Sequence, residues 1–200
     1  MSKPFLVMLN GPPGSGKDFA AQTLVEANDL SVSHHKFAEP LKDMACALLE
    51  IDNKTLEMSK KQPIGLYGVT VRQLLIDMSE KWMKPCYGKD IFGKIAAERV
   101  AESMQLTDHF GEEPYDLYVF SDCGFDTEVK HVLELFGNEN AILIRLHREG
   151  CTYEGDSRSY IELSDARSVD IMNDGDERFP KMLINIIKDW MKERKNDAQP

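Results

Sequence analysis

One octapeptide concentrates the chemistry of this chain. Gly11-Pro12-Pro13-Gly14-Ser15-Gly16-Lys17-Asp18 matches G-x-x-x-x-G-K, and it follows an apolar run and opens an amphipathic one, the context in which the pattern has physical meaning. Glycines let several backbone N–H groups converge on one point, and the start of a helix adds a positive field there. Together they form a cradle for phosphate oxygens. Lys17 adds a compact positive charge at the β/γ-phosphates. Where the pattern ordinarily continues with Ser or Thr as a Mg²⁺ ligand, this chain has Asp18. A carboxylate is also a hard oxygen ligand for Mg²⁺, but an acid in the first turn of a helix is equally explained by the helix dipole. Both readings stand at this point.

A second group of residues falls at strand ends and in polar segments. Asp122 closes the apolar run Leu117-Tyr118-Val119-Phe120-Ser121, where a parallel sheet opens its ligand crevice. It is a candidate for Mg²⁺ or for the acceptor, against the alternative of capping the next helix, a task for which Asp126 is better spaced. Four of the eight arginines (Arg145, Arg148, Arg158 and Arg167) lie between 145 and 167. Arg148 and Arg158 are the candidates for binding phosphate from a mobile segment, since phosphoryl transfer is largely positioning and charge stabilisation. Asn173-Asp174-Gly175 follows the last apolar strand and also has strong turn character of its own. Lys42, Arg72, Lys84 and Lys89 are candidate acceptor cations, and Tyr67, Trp82, Tyr87 and Phe92 are aromatics able to stack on a base.

The elements that must position these groups follow from periodicity. Short apolar strands are expected at 4–10, 31–37, 117–121, 141–146 and 169–172. Helices are expected at 18–27, 40–50, 71–82 (stopped by Lys84-Pro85), 90–104, around Val129–Phe136, and around Leu183–Trp190. Residues 52–69 and 106–116 read as loops, the first with a helical fragment. Strands alternating with helices predict an α/β fold: a five-stranded parallel sheet with helices on both faces. One domain over 1–200 is expected, with a helical substrate-binding insertion at about 38–110 and a lid at about 147–167. The lid segment carries Gly150 and Gly155 and has no periodicity long enough to pack.

Composition limits the function classes. The 200 residues are 42% hydrophobic and 29% charged, with 24 basic and 34 acidic side chains and a net charge of −10. Such a surface repels a polyphosphate backbone, which excludes a general nucleic-acid-coating role but not a small phosphorylated ligand. The four cysteines, Cys46, Cys86, Cys123 and Cys151, form no CxxC pair and suggest neither a zinc site nor a disulfide framework. No apolar run approaches a membrane span, and no signal-peptide pattern opens the chain. A cytoplasmic protein with small-molecule partners, neither nucleic-acid polymers nor membranes, is expected. Nothing in the pattern sets its oligomeric state.

GSGKDFAAQTL followed by KFAEPLKDMACAL resembles the P-loop deoxynucleoside monophosphate kinases of tailed bacteriophages, which share the Lys-Asp pair and an AxP-[LI]-K-[DE] segment. The resemblance continues in VRQLLIDMSEKWMKPCYGKDIFGK, VFSDCGFDTEV, RLHREGCTYEGDSRSYIEL and IMNDG, touching about residues 5–190. Phosphomevalonate kinase and dephospho-coenzyme A kinase have a similar layout. The resemblance implies ATP and Mg²⁺ as cofactors and phosphorylation of a (deoxy)nucleoside 5′-monophosphate in the cytoplasm, the host's if a phage encodes the chain. It also implies that the 173–175 turn wraps the adenine of ATP, whose phosphates the cradle of Gly11, Gly14, Ser15, Gly16, Lys17 and Asp18 would hold, while Asp18 and Asp122 stay as the candidate metal ligands. Several members have Asp-x-Arg after the third strand, whereas this chain has Asp122-Cys123-Gly124, so another cation must substitute for that arginine. An acceptor like that of the two related kinases, or a non-catalytic nucleotide switch, are the alternatives. The switch reading lacks the Asn-Lys-x-Asp guanine motif.

Overall fold

A computed structural model of the chain describes residues 4–63 and 68–197. Tyr67, one of the stacking candidates, lies outside the described residues. Five strands, β1 (Phe5–Asn10), β2 (Val32–His35), β3 (Leu117–Cys123), β4 (Ala141–His147) and β5 (Arg167–Met172), form one sheet in the order β2-β3-β1-β4-β5. Every pairing is parallel. The order reverses around β1, so the crevice for a ligand opens at the carboxyl ends of β1, β3 and β4. The residues there are Asn10, Asp122 and His147.

β1 reads as a continuous apolar run because both of its faces are covered. Phe5, Val7 and Leu9 point into a core with α1 (Lys17–Val25) and α8 (Arg178–Asp197), where Trp190, Leu183 and Ile187 are buried. Leu6 and Met8 point into the opposite core with α6 (Ile91–Phe110) and α7 (Asp126–Phe136), through Val100, Val129, Val132 and Phe136. A small third cluster of Ala45, Leu56 and Val71 joins α2 (Glu39–Leu49), α3 (Asn53–Met58) and α4 (Val71–Asp77).

The helices depart from the expected boundaries in two places. The helix beginning at Val71 does not stop before Lys84-Pro85. It widens into a π-helical segment, Met78–Met83, and continues as α5 (Lys84–Tyr87) to Gly88, whose φ is +103°. Proline supplies no N–H and crowds the carbonyl of the preceding turn, and the wider turn accommodates both. Helix α6 runs to Phe110, past the expected end at 104, and stops at Gly111 with φ +68°. Its last turns expose Leu106 and Phe110, so they carry no burial periodicity to read.

Register also matters for the site. Between the pairs Met8↔Phe120 and Asn10↔Cys123, β3 has one residue more than β1, a β-bulge. A bulge re-aims the side chains that follow it. Phe120 and Cys123 therefore lie in the same core, and Asp122 stands at the rim between them.

Candidate active site: a phosphate cradle at the end of the central strand

The loop after β1 is built for close approach. Gly14 (φ +82°) and Gly16 (φ +96°) occupy left-handed backbone that other residues rarely adopt. A Cβ on Gly16 would lie 2.2 Å from the amide nitrogen of Asn173, and one on Gly11 would lie 2.6 Å from Ser15 Oγ. Ser15 is fully buried, and its hydroxyl has no hydrogen-bond partner among the described residues. A buried hydroxyl left unmatched costs stability unless something else satisfies it, and a phosphate oxygen in the cradle would do so. Lys17 folds back over the loop and donates to the carbonyls of Gly11 (2.5 Å) and Pro12 (2.9 Å). Burial, and then the charge of Arg158, hold its amine below the ordinary lysine range, against the opposing pull of Asp18 and Asp122. The donors present fit a nucleotide polyphosphate.

Asn173 locks the loop. Its Nδ2 donates to the Ser15 carbonyl at 2.9 Å, and its Oδ1 accepts from Gly175 N–H at 3.1 Å. The side chain is buried, while Asp174 and Gly175 are exposed. Arg148 reaches the loop tip, with Nη1 3.4 Å from the Gly14 carbonyl.

The two candidate metal ligands differ in availability. Asp18 is 79% exposed at its side chain and pairs with Lys36 at 2.5 Å. Burial pushes its carboxyl up, and the Lys36 hydrogen bond and charge, with Lys17 and Lys42, bring it below the usual range. It is an ionised carboxylate one residue from Lys17, suited to Mg²⁺, which characteristically takes one or two carboxylates plus substrate phosphates. Asp122 uses both oxygens on backbone donors, Phe37 N–H at 2.8 Å and Ala38 N–H at 2.9 Å. It thus anchors the turn that leads into α2 rather than capping α7, whose first turn begins with Asp126 itself. In the Asp18→Ala variant the Mg²⁺ concentration for half-maximal rate should rise about tenfold, with stability changed by under about 1 kcal/mol. An unchanged Mg²⁺ dependence would restrict Asp18 to the helix dipole and the Lys36 pair.

The acceptor candidates do not converge on one point. Lys42 pairs with Glu57 at 2.7 Å and lines a cavity of about 370 Å³ with His34, Lys36, Asn53 and Lys54. Arg72 is exposed, and its charge adds a small part to the Arg158 hydrogen bonds and charge that hold the Asp156 carboxyl down at about 2. Lys89 is exposed on the turn after α5. Lys84 is nearly buried, 2.8 Å from Glu80 and 3.8 Å from Glu128, with its ammonium 4.0 Å from the centre of the Phe125 ring. Of the aromatics, Trp82 and Tyr87 are exposed and Phe92 is core.

Three site residues are not legible as such in the sequence. Asn10, fully buried, directs its two amide hydrogens at three acceptors, Cys123 O (2.9 Å), Tyr153 Oη (3.0 Å) and Ser159 O (3.0 Å), one of them shared, and accepts from Ile161 N–H (3.1 Å). It ties the cradle, β3 and the 153–161 segment together. Gly124 supports Arg158, as developed below. Glu128 is only 5% exposed, and burial pushes its carboxyl up to about 7, the Lys84 charge opposing and Asp122 and Glu80 adding to the rise. A folded-state value above the unfolded one means that the stabilising contribution is full below about 4.5 and is lost as the pH rises through 7. Glu128→Gln should therefore gain stability relative to the parent at pH 8, by about 1–2 kcal/mol, and lose that advantage by pH 5. Melting curves of the two proteins across this range would show it, and a pH-independent difference would contradict the buried-acid assignment.

No protein-family model and no curated protein matches the chain. Among solved structures, it is similar to a sugar kinase from Janibacter sp. HTCC2649, at 13% identity over 94% of this chain and 95% of that one, with a TM-score of 0.47. It is also similar to the protein APE1195, at 12% identity over 96% and 97%, with a TM-score of 0.42. Both likenesses are distant. No described helix is long and apolar enough to cross a membrane, and all four cysteines are free.

Proposed function

We propose that this chain is an ATP-dependent phosphotransferase whose acceptor is a (deoxy)nucleoside 5′-monophosphate, converted to the diphosphate. The observation that carries the reading is the cradle after β1, in which a buried, unmatched Ser15 hydroxyl and the Lys17 amine face the same small loop. ATP, when bound, supplies the transferable phosphoryl group. Gly11, Gly14, Ser15 and Gly16 surround its phosphates and Lys17 neutralises charge on them. Asp18 holds Mg²⁺, and Arg148 at the loop tip adds a planar donor pair suited to phosphate oxygens. Asp122 serves this chemistry by fixing the β2–α2 turn at the rim. A monophosphate acceptor brings its own anionic oxygen as nucleophile, so the chemistry needs cations in place more than a strong base.

The segment between β4 and β5 divides into two parts in this reading. Ser159 and Ile161 are bonded to Asn10, and Ile161 is buried in the core. Tyr153 is bonded to Asn10 as well, and Asp156 to Arg158. Residues 148–152 are mostly exposed and contain neither helix nor strand. Closure over the nucleotides therefore belongs to 148–152, carrying Arg148, while 153–161 stay put. Hydrogen exchange should find 148–152 fast without ligand and slowed with a bisubstrate analogue, and Ile161 slow in both states. Slow exchange of 148–152 in the free protein would contradict the closure.

The reading is tested by ADP release from ATP in the presence of single acceptors: nucleoside and deoxynucleoside monophosphates, phosphomevalonate, dephospho-coenzyme A, and none. Stimulation by a monophosphate of one or more bases supports it. Stimulation by one of the other two acceptors alone moves the chain to a different substrate class, and nucleotide binding with no stimulated release makes it a switch.

A further inference from the structure

Gly124 has a demand on it that its backbone conformation does not explain. Its φ lies outside the left-handed region, so a side chain is conformationally allowed there. What forbids one is Arg158: a Cβ on Gly124 would lie 2.4 Å from Arg158 Cδ, 2.6 Å from Cγ and 3.1 Å from Cβ. The whole aliphatic stem of Arg158 lies on the backbone of residue 124. Real Cβ atoms are essentially never found below 3.0 Å from such neighbours.

Arg158 is also held from its own side. Asp156 accepts from Arg158 Nε at 2.8 Å, from Nη2 at 2.6 Å and from the backbone N–H at 3.0 Å. Asn10 grips the chain just beyond it, through the Ser159 carbonyl at 3.0 Å and the Ile161 N–H at 3.1 Å. The same amide donates to Cys123 O, next to Gly124, and Asn10 itself precedes Gly11 of the cradle. One buried side chain thus sets the spacing between the cradle, the Gly124 backbone and the strap that carries Arg158. Gly124 follows directly on the carboxyl end of β3, so the Arg158 stem lies at the crevice end of the sheet.

We infer that Gly124 is a notch kept open for Arg158, and that Arg158 is a resident cation of the phosphoryl-transfer site, positioned by Gly124 and Asn10 instead of being delivered by closure. A resident cation at that crevice gains attraction to a transferring phosphoryl group as negative charge spreads over its oxygens. This inference rests on the proposed phosphotransferase activity. Gly124 and Asn10 act through Arg158 and are positioning residues.

The test is a double-mutant cycle with two readouts. Turnover with the most active acceptor, or ATP hydrolysis in its absence, is compared for the parent, Gly124→Ala, Arg158→Ala and the double variant, after melting curves show each is folded. Gly124→Ala should lower kcat about 10–100-fold with Mg-ATP affinity within about threefold of the parent, and should cost nothing further once Arg158 is already Ala. Multiplying losses, or normal kcat in Gly124→Ala, would overturn the notch. The second readout is the crystal structure of the unliganded Gly124→Ala protein beside that of the parent. The Arg158 stem should leave the backbone of residue 124 in the variant, and an Arg158 that keeps its place there would overturn the notch. This second arm needs no turnover, so it decides the geometry even if no acceptor is phosphorylated, an outcome that would count against the proposed function alone.

Discussion

Replacing Lys17 with alanine should lower phosphoryl transfer by at least about 10²–10³-fold while the protein stays folded. A preorganised charge at the group being transferred contributes about 3–4 kcal/mol or more to the barrier. The fold should tolerate the change, because among the described residues the Lys17 amine bonds only to the Gly11 and Pro12 carbonyls of its own loop, and those carbonyls can turn to water. The loop's shape depends instead on Asn173 and the glycines. Initial-rate kinetics beside a melting curve separate the two effects. Near-parental turnover in a folded Lys17→Ala protein would contradict the assignment of the cradle.

Asn10→Ala should have the opposite signature, a large loss of stability. Removing the amide leaves Cys123 O, Ser159 O, Tyr153 Oη and Ile161 N–H without their partner, in a place where Asn10 itself is fully buried. Each unpaired buried group costs about 1–3 kcal/mol. With water replacing some partners at the more exposed end, the sum should come to about 3–5 kcal/mol, enough to threaten folding at physiological temperature. Chemical denaturation would measure it, and a loss below about 1 kcal/mol would show that the strap is not held through Asn10.

The legible part of this molecule is local. The strand–cradle–helix unit could be read because its residues are consecutive and its chemistry follows from their types. The parallel sheet could be read because two-sided burial leaves uninterrupted apolar runs such as Leu117–Phe120. The rest depends on residues far apart in the chain. Asn10 ends an apolar strand and looks like a turn former, and its partners lie 113 to 151 residues away. Asp122 suggests a metal ligand or a cap for the helix just after it, yet its bonds go back 84 and 85 positions to the start of α2. Glu128 sits in a polar stretch and is buried by elements distant in sequence: α6 packs on its backbone, where a Cβ on Gly93 would lie 2.3 Å from the Glu128 carbonyl, and Lys84 lies 3.8 Å from its carboxylate. Spacing along the chain gave no signal for the Gly124 notch, since its occupant comes from a segment without periodicity.

The corrections to the helices have a similar origin. Lys84-Pro85 is a strong local stop signal, and the π-helical turn before it overrides that signal, bringing Lys84 inward toward Glu128 and Phe125. Such turns often accompany functional sites, and this one carries the only acceptor candidate that lies close to Glu128 among the described residues.

The central claim is tested most directly by following the phosphoryl group itself. ATP labelled at the γ-phosphate is incubated with the protein, Mg²⁺ and each deoxynucleoside monophosphate in turn, and the products are separated. The account predicts label in the β-position of the corresponding diphosphate, in a reaction abolished by Lys17→Ala. Label recovered only in ATP and inorganic phosphate, with every monophosphate unchanged, would contradict it.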